Sequence, residues 1–255
     1  KASLKGELFF DALHKSIYAT DASVYRKIPL AVAFPKNVAD IQQLIAFATK
    51  NNTQNTRAKT LKILKRALVL FLIGISYIVI WPADILHFYG IYIPITLLFI
   101  NRKQNIILFS ALAFVFIYPI LVMFIDYEMF WDFDQMEYHQ LWTIKGFLYN
   151  LFYNGFHPVI PWVAFMLLGL WWGKQPLHAP SFIIKSIKIS AGVFITTQLI
   201  SISFISFFAL GNHILIEDIK IILGTAPMPP LPFYMISGGS IAIFVISICI
   251  HFSSF

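Results

Sequence analysis

The chain has 255 residues, of which 58% are hydrophobic and 12% charged, with a formal net charge of +7 and a mean hydropathy of +0.74. A charged fraction about half that of soluble domains excludes an ordinary water-soluble globule, so the positive balance is a question of which loops carry it, not of a nucleic-acid surface. The single Cys249 excludes an internal disulfide framework.

Residues 1–56 mix polar and apolar side chains as a soluble segment does. Leu4 to Ile17 reads as a short helix, and Leu30 to Phe34 as a buried strand stopped by Pro35. Asn37 is placed to cap the next helix, with Asp40 in its first turn. Ile41, Leu44, Ile45 and Ala48 then form one apolar stripe at helical spacing. This opens an α/β unit with a lone strand, too small to bury a core by itself. The run Tyr18 to Arg26 (YATDASVYR), with Pro29, Ala31-Val32, Pro35 and Asp40-Ile41, resembles the N-terminus of bacterial FAD-linked oxidases of the glycolate-oxidase and D-lactate-dehydrogenase type, over residues 4–53. In that family a glycine-rich loop follows and holds the flavin pyrophosphate on backbone amides. Here Gln54-Asn55-Thr56-Arg57 follows instead, so FAD is not expected to bind.

From Arg57 the composition changes. A basic run (Arg57, Lys59, Lys62, Lys65, Arg66) precedes six apolar segments, at 62–81, 86–100, 105–125, 158–173, 187–210 and 231–252. Most approach the roughly 20 residues that cross a bilayer, while the second and fourth are short. With six spans, that run and Arg102, Lys103, Lys174, Lys185 and Lys188 fall on one side. Lys145 and Lys220 fall on the other, together with Asp84, Asp126, Glu128, Asp132, Asp134, Glu137, Glu217 and Asp218. The positive-inside rule then makes the basic side, and both termini, cytoplasmic.

The stretch Gly146 to Lys174 is aromatic and polar in its first half and apolar in its second, with Pro158 and Pro161 at the junction. It predicts a segment lying along the membrane surface that then turns into it, the tyrosines and Trp162 at headgroup depth. Gly169 and Gly173, four apart, share a helix face. The acidic and aromatic loop 126–146 is a candidate lid on the outer face. No metal-ligand spacing, Walker loop or GxSxG occurs. Ionisable groups that enter a membrane are candidate functional residues, which singles out Asp84 and His87, i and i+3 on one face, and His157. We expect these three as catalytic residues, with Asp84 and His157 facing one polar cavity and Asn154 and Trp162 binding substrate.

The run RAKTLKILKRALVLFLIG, then Trp81 to Gly90 (WPADILHFYG), then Asn154 to Pro158 (NGFHP) with Pro161-Trp162 and Gly169, resembles a bacterial multispanning membrane family related to heparan-α-glucosaminide N-acetyltransferase, over residues 57–255. The resemblance implies acyl transfer across a membrane: acetyl-CoA or another acyl-CoA on the cytoplasmic side, and a saccharide or other hydroxyl or amine acceptor outside. A histidine would act as base or acyl carrier, and Arg57, Lys59 and Arg66 would meet the CoA phosphates. The family's opening helix with an Asp and an Arg-Gly pair, and its histidine loop, have no counterpart in this sequence.

The expected fold is therefore an all-α polytopic membrane protein of about six transmembrane helices (57–255), preceded by a short, incomplete α/β segment (1–56). The expected location is the bacterial inner membrane, with the lipid bilayer as partner and no nucleic acid. An inactive or truncated fusion, and a fragment of an FAD-linked oxidoreductase, stand as alternatives to the acyltransferase.

Overall fold

A computed structural model describes residues 4–19, 28–53, 56–209 and 216–253. It divides into two units, 1–62 and 63–255.

In the first unit, β1 (Glu7–Phe9) pairs antiparallel with β2 (Val32–Phe34), Leu8 opposite Ala33. The expected helix from Leu4 to Ile17 is thus split. Asp11 ends the strand and caps α1 (Ala12–Ile17), its Oδ1 accepting from the His14 amide at 2.9 Å. The strand that looked alone has its partner upstream. Asn37 caps α2 (Val38–Thr53) as its position predicted, Oδ1 accepting from the Asp40 amide at 2.8 Å. Asp40 is buried and accepts from the backbone amides of Lys36 at 3.0 Å and Lys5 at 2.9 Å. Those donors hold its carboxyl below the usual carboxylate range. Its contribution to stability is therefore present above the ordinary carboxylate pKa and lost as pH falls through the lowered value. The stripe on α2 is not buried: Ile41 and Ile45 stay exposed. Thr20 to Arg26, the centre of the flavin-oxidase-like motif, lie outside the described residues.

The second unit begins within α3 (Thr56–Tyr77) and continues through α4 (Leu86–Phe99), α5 (Gln104–Phe124), a hairpin of β3 (Trp131–Asp132) and β4 (Glu137–Tyr138), and α6 (Ile144–Tyr149). A π-helical turn, Asn150–Asn154, leads to α7 (Val159–Gly173), followed by α8 (Pro180–Ala209), α9 (Ile216–Leu223) and α10 (Pro232–Ser253). Among the described residues three helices, α5, α8 and α10, are long and apolar enough to cross a membrane. A fourth span results if Ile144–Asn154 and Val159–Gly173, bent by 44°, count as one. The six expected spans are not confirmed among the described residues. On α3 the basic run extends to Arg66, leaving residues 67–77 free of charge, and α4 is a shorter apolar helix of 14 residues. The bend falls at Gly155–Pro158, where Pro158 caps α7 and Pro161 sits in its first turn, as the junction prolines predicted.

The core is built around α7. Leu167 and Ala164 pack on Ile107, Ala111 and Val115 of α5 and Met235 of α10. Val159 and Val163 pack on Phe88 and Tyr92 of α4. Outward side chains such as Phe109, Phe116 and Ile120 of α5 stay exposed, as lipid-facing residues do. Lys174 closes one end: its Nζ donates to the carbonyls of Ile100 at 2.6 Å and Arg102 at 3.3 Å, and Gln104 donates to its carbonyl at 3.1 Å. The C-terminal ends of α4 and α7 therefore meet at a basic end. Asp84 and His157 precede the N-termini of the same two helices and lie at the other end.

Candidate active site

At that other end the chain makes a tight turn between α3 and α4. Asp84 Oδ2 accepts from the backbone amides of Leu86 at 2.9 Å and His87 at 3.3 Å, capping the start of α4. The same oxygen lies 3.1 Å from His87 Nδ1. A carboxylate only accepts, so the ring proton sits on Nδ1 and leaves Nε2 as the basic nitrogen. The pair is buried, with Asp84 6% and His87 1% exposed. Asp84 thus caps the start of the helix and orients the ring of His87, not that of His157.

His157 comes to this pair through aromatic contacts. The His87 ring lies 3.9 Å from Phe88, and Phe88 lies 6.0 Å from His157 in an edge contact. Tyr92, one turn beyond Phe88, donates its hydroxyl to the His157 carbonyl and fixes the backbone there. On its other side His157 meets Trp162, ring to ring at 4.7 Å and nearly perpendicular. His157 Nδ1 and Trp162 Nε1 are both buried, and neither has a hydrogen-bond partner. Two adjacent buried nitrogens without partners are rare in folded proteins. One supplies a potential acceptor and the other a fixed donor. Neither the slot between α5, α7, α8 and α10 nor the hollow on α8 has Asp84 or His157 in its lining, so neither is the polar cavity the two were expected to face.

Asn154 is differently placed. It is fully buried, and its Nδ2 donates to the carbonyls of Tyr127 at 2.9 Å and Met129 at 2.8 Å. Its Oδ1 lies 2.9 Å from the Tyr138 hydroxyl, and its carbonyl accepts from Trp131 Nε1 at 2.5 Å. Burial pushes the Tyr138 phenol up, so it stays a protonated donor at any physiological pH. The side chain expected to bind substrate therefore pins the loop 126–146 onto the π-helical turn. Replacing Asn154 by alanine would strand two carbonyls and a phenol, at about 1–3 kcal/mol for each buried group left unmet. We expect a clear drop in melting temperature in a detergent thermal-shift assay, with Asn154→Asp no better because it loses both donated bonds.

Arg57, Lys59 and Arg66 all lie on α3 and are exposed. Lys59 and Arg66 are seven apart and share a face, whereas Arg57, two residues before Lys59, projects to the opposite side. Phe88 and Tyr92 are the contributions that sequence reasoning missed. Their i, i+4 spacing marks a helix face but does not tell an aromatic bridge between two histidines from ordinary core.

No curated protein and no solved structure matches the chain. The family model described as "Heparan-alpha-glucosaminide N-acetyltransferase, catalytic" matches residues 9–203. This corrects two expectations. The family match does not begin at residue 57 but runs through the N-terminal segment, and no comparison supports the resemblance of that segment to FAD-linked oxidases. With a match over most of its length and helices apolar enough to span a bilayer, the chain is a membrane protein of acyltransferase type and belongs to the heparan-α-glucosaminide N-acetyltransferase catalytic family.

Proposed function

We propose that the protein moves an acetyl or acyl group from an acyl-CoA, met at the basic cytoplasmic end, to a saccharide or other acceptor at the opposite face, and that His157 is the base. The observation that carries this reading is the pair of unpartnered buried nitrogens on His157 and Trp162 beside the Asp84–His87 pair. An acceptor hydroxyl or amine would donate to His157 Nδ1 and lose its proton there as it bonds to the acyl carbon. The carbon–sulfur bond breaks, and the sulfur leaves with a proton returned by the histidine. Trp162 Nε1 is a fixed donor for the oxygen that gains charge meanwhile. Asp84 and His87 form a second oriented acid–base pair, linked to His157 through the ring of Phe88. Asn154 is a positioning residue that holds the loop 126–146. Lys59 and Arg66 offer one face to the phosphates of the donor, which supplies the activated acyl group, and Arg57 is off that face.

Purified protein given radiolabelled acetyl-CoA and glucosamine should form labelled N-acetylglucosamine. Free acetate alone, across a panel of amino and neutral sugars, would defeat the saccharide reading. The orientation is checked separately. In a Cys249→Ser background, Lys103→Cys should be shielded from a membrane-impermeant maleimide in intact cells and Gln135→Cys should label; the reverse pattern would invert the topology.

A further inference from the structure

Between α5, α7, α8 and α10 lies a slot of about 440 Å³, a volume in the range of ligand pockets. Its walls are apolar, with Val115, Leu168, Val193 and Ile243 among them, and Lys185 is its one charged lining residue. Two of its three serines are committed elsewhere: Ser190 donates to the Ser186 carbonyl at 2.6 Å and Ser240 to that of Ser237 at 2.8 Å. Trp172 also lines the slot, is 7% exposed, and has a buried Nε1 with no partner. The ion pairs among the described residues are Asp11–His14, Glu7–Lys36, Asp84–His87 and Glu217–Lys220, so none engages Lys185. Trp172 and Lys185 stand at the end of α7 and the start of α8, at the basic end of the bundle, away from Asp84 and His157.

A hydrocarbon wall with one cation at its basic end, beside a lining tryptophan whose N–H is unmet, describes an amphiphile with an anionic, acceptor-rich head. A polar solute would find its own groups unmet along the walls. A zwitterionic head would bring a cation to a lining with no carboxylate to receive it. We propose that the slot holds one acyl chain of an anionic phospholipid, its phosphate at Lys185 and an ester or phosphate oxygen at Trp172 Nε1. The proposal is independent of the acyl-transfer reading, because it uses none of the residues placed in that site.

The test is native mass spectrometry of the whole protein, equilibrated in mixed micelles of equal phosphatidylglycerol and phosphatidylcholine with the same chains. We expect a single-lipid adduct favouring phosphatidylglycerol at least about fivefold, the scale of one charge-assisted contact. Val193→Trp fills the slot from a residue already 38% exposed, so the core is left whole, and should cut the adduct at least as much. Lys185→Gln should retain a lipid adduct but bind the two lipids equally, and Ile189→Trp provides a second filling variant should Val193→Trp fail to fold. Equal retention of both lipids by the unaltered protein would mean an adventitious additive only and would overturn the proposal. So would adducts undiminished in a folded filling variant.

Discussion

Replacing His157 by alanine should lower acyl-transfer turnover by about 10²- to 10⁴-fold, the usual contribution of a positioned general base. The Michaelis constant for the acyl donor should change little if, as proposed, its phosphates are met at the opposite, basic end. His157→Gln should be nearly as slow: the amide fills space but accepts a proton too weakly to act as base. Trp162→Phe keeps the ring and removes only the N–H, so it separates packing from chemistry. A loss of about 10²-fold or more in turnover matches the removal of an oxyanion donor, whereas no loss would leave the indole a purely apolar neighbour. Asp84→Asn tests the second pair, since an amide at that position no longer obliges the ring proton to sit on His87 Nδ1, now 3.1 Å from the carboxylate. Turnover of His157→Ala within about threefold of the unaltered enzyme would remove His157 from the chemistry.

How much of this was legible in the sequence differed from element to element. The bent segment was legible because prolines at 158 and 161 can enter a helix only in or before its first turn, and the π-helical turn, the bend and α7 follow that pattern. The Asp84–His87 contact was legible because i, i+3 spacing is local. The sorting of charges anticipated that Lys174 and Arg102 would share one end, which their hydrogen bond bears out. Less was legible where the decisive partner is far along the chain. Nothing near Asn154 announces that Tyr127, Met129 and Tyr138 will use up its amide. The pairing of Glu7–Phe9 with Val32–Phe34 likewise depends on a chain reversal that helical spacing in Leu4 to Ile17 conceals. The count of six spans is not confirmed, because charged turns shorten the apolar stretch of α3 and α4 has only 14 residues.

The glycines of the α3–α4 crossing went unnoticed in the sequence, and one of them governs the site. Gly74 lies so close to the next helix that an added Cβ would stand 2.2 Å from His87 N, 2.8 Å from His87 Cα and 2.7 Å from Asp84 Oδ2. Gly90 on α4 returns the contact, with its Cβ position 2.5 Å from Phe71 Cβ and 3.0 Å from the Ala67 carbonyl. Close approach of backbones through small residues is how helices associate where lipid removes the hydrophobic drive. The nearest neighbours of Gly74 are backbone atoms, so no rotamer change can make room, and Gly74→Ala must part α3 from α4 or unwind the turn between them. Overpacking of this kind costs about 1–3 kcal/mol, and a disturbed helix cap adds about 0.5–2 kcal/mol. Together these correspond to a fall in melting temperature on the order of 10 °C for a chain of this size. Activity measured well below that temperature should fall further than stability alone explains, because the displaced atoms include the His87 backbone and the Asp84 carboxylate. Gly169→Ala is the matched control. It sits in a helix with nothing within 4 Å of its added methyl, so it should melt at or slightly above the unaltered temperature. If Gly74→Ala melts with Gly169→Ala and retains turnover, the α3–α4 contact is looser than the geometry requires, and the Asp84–His87 pair does not depend on it.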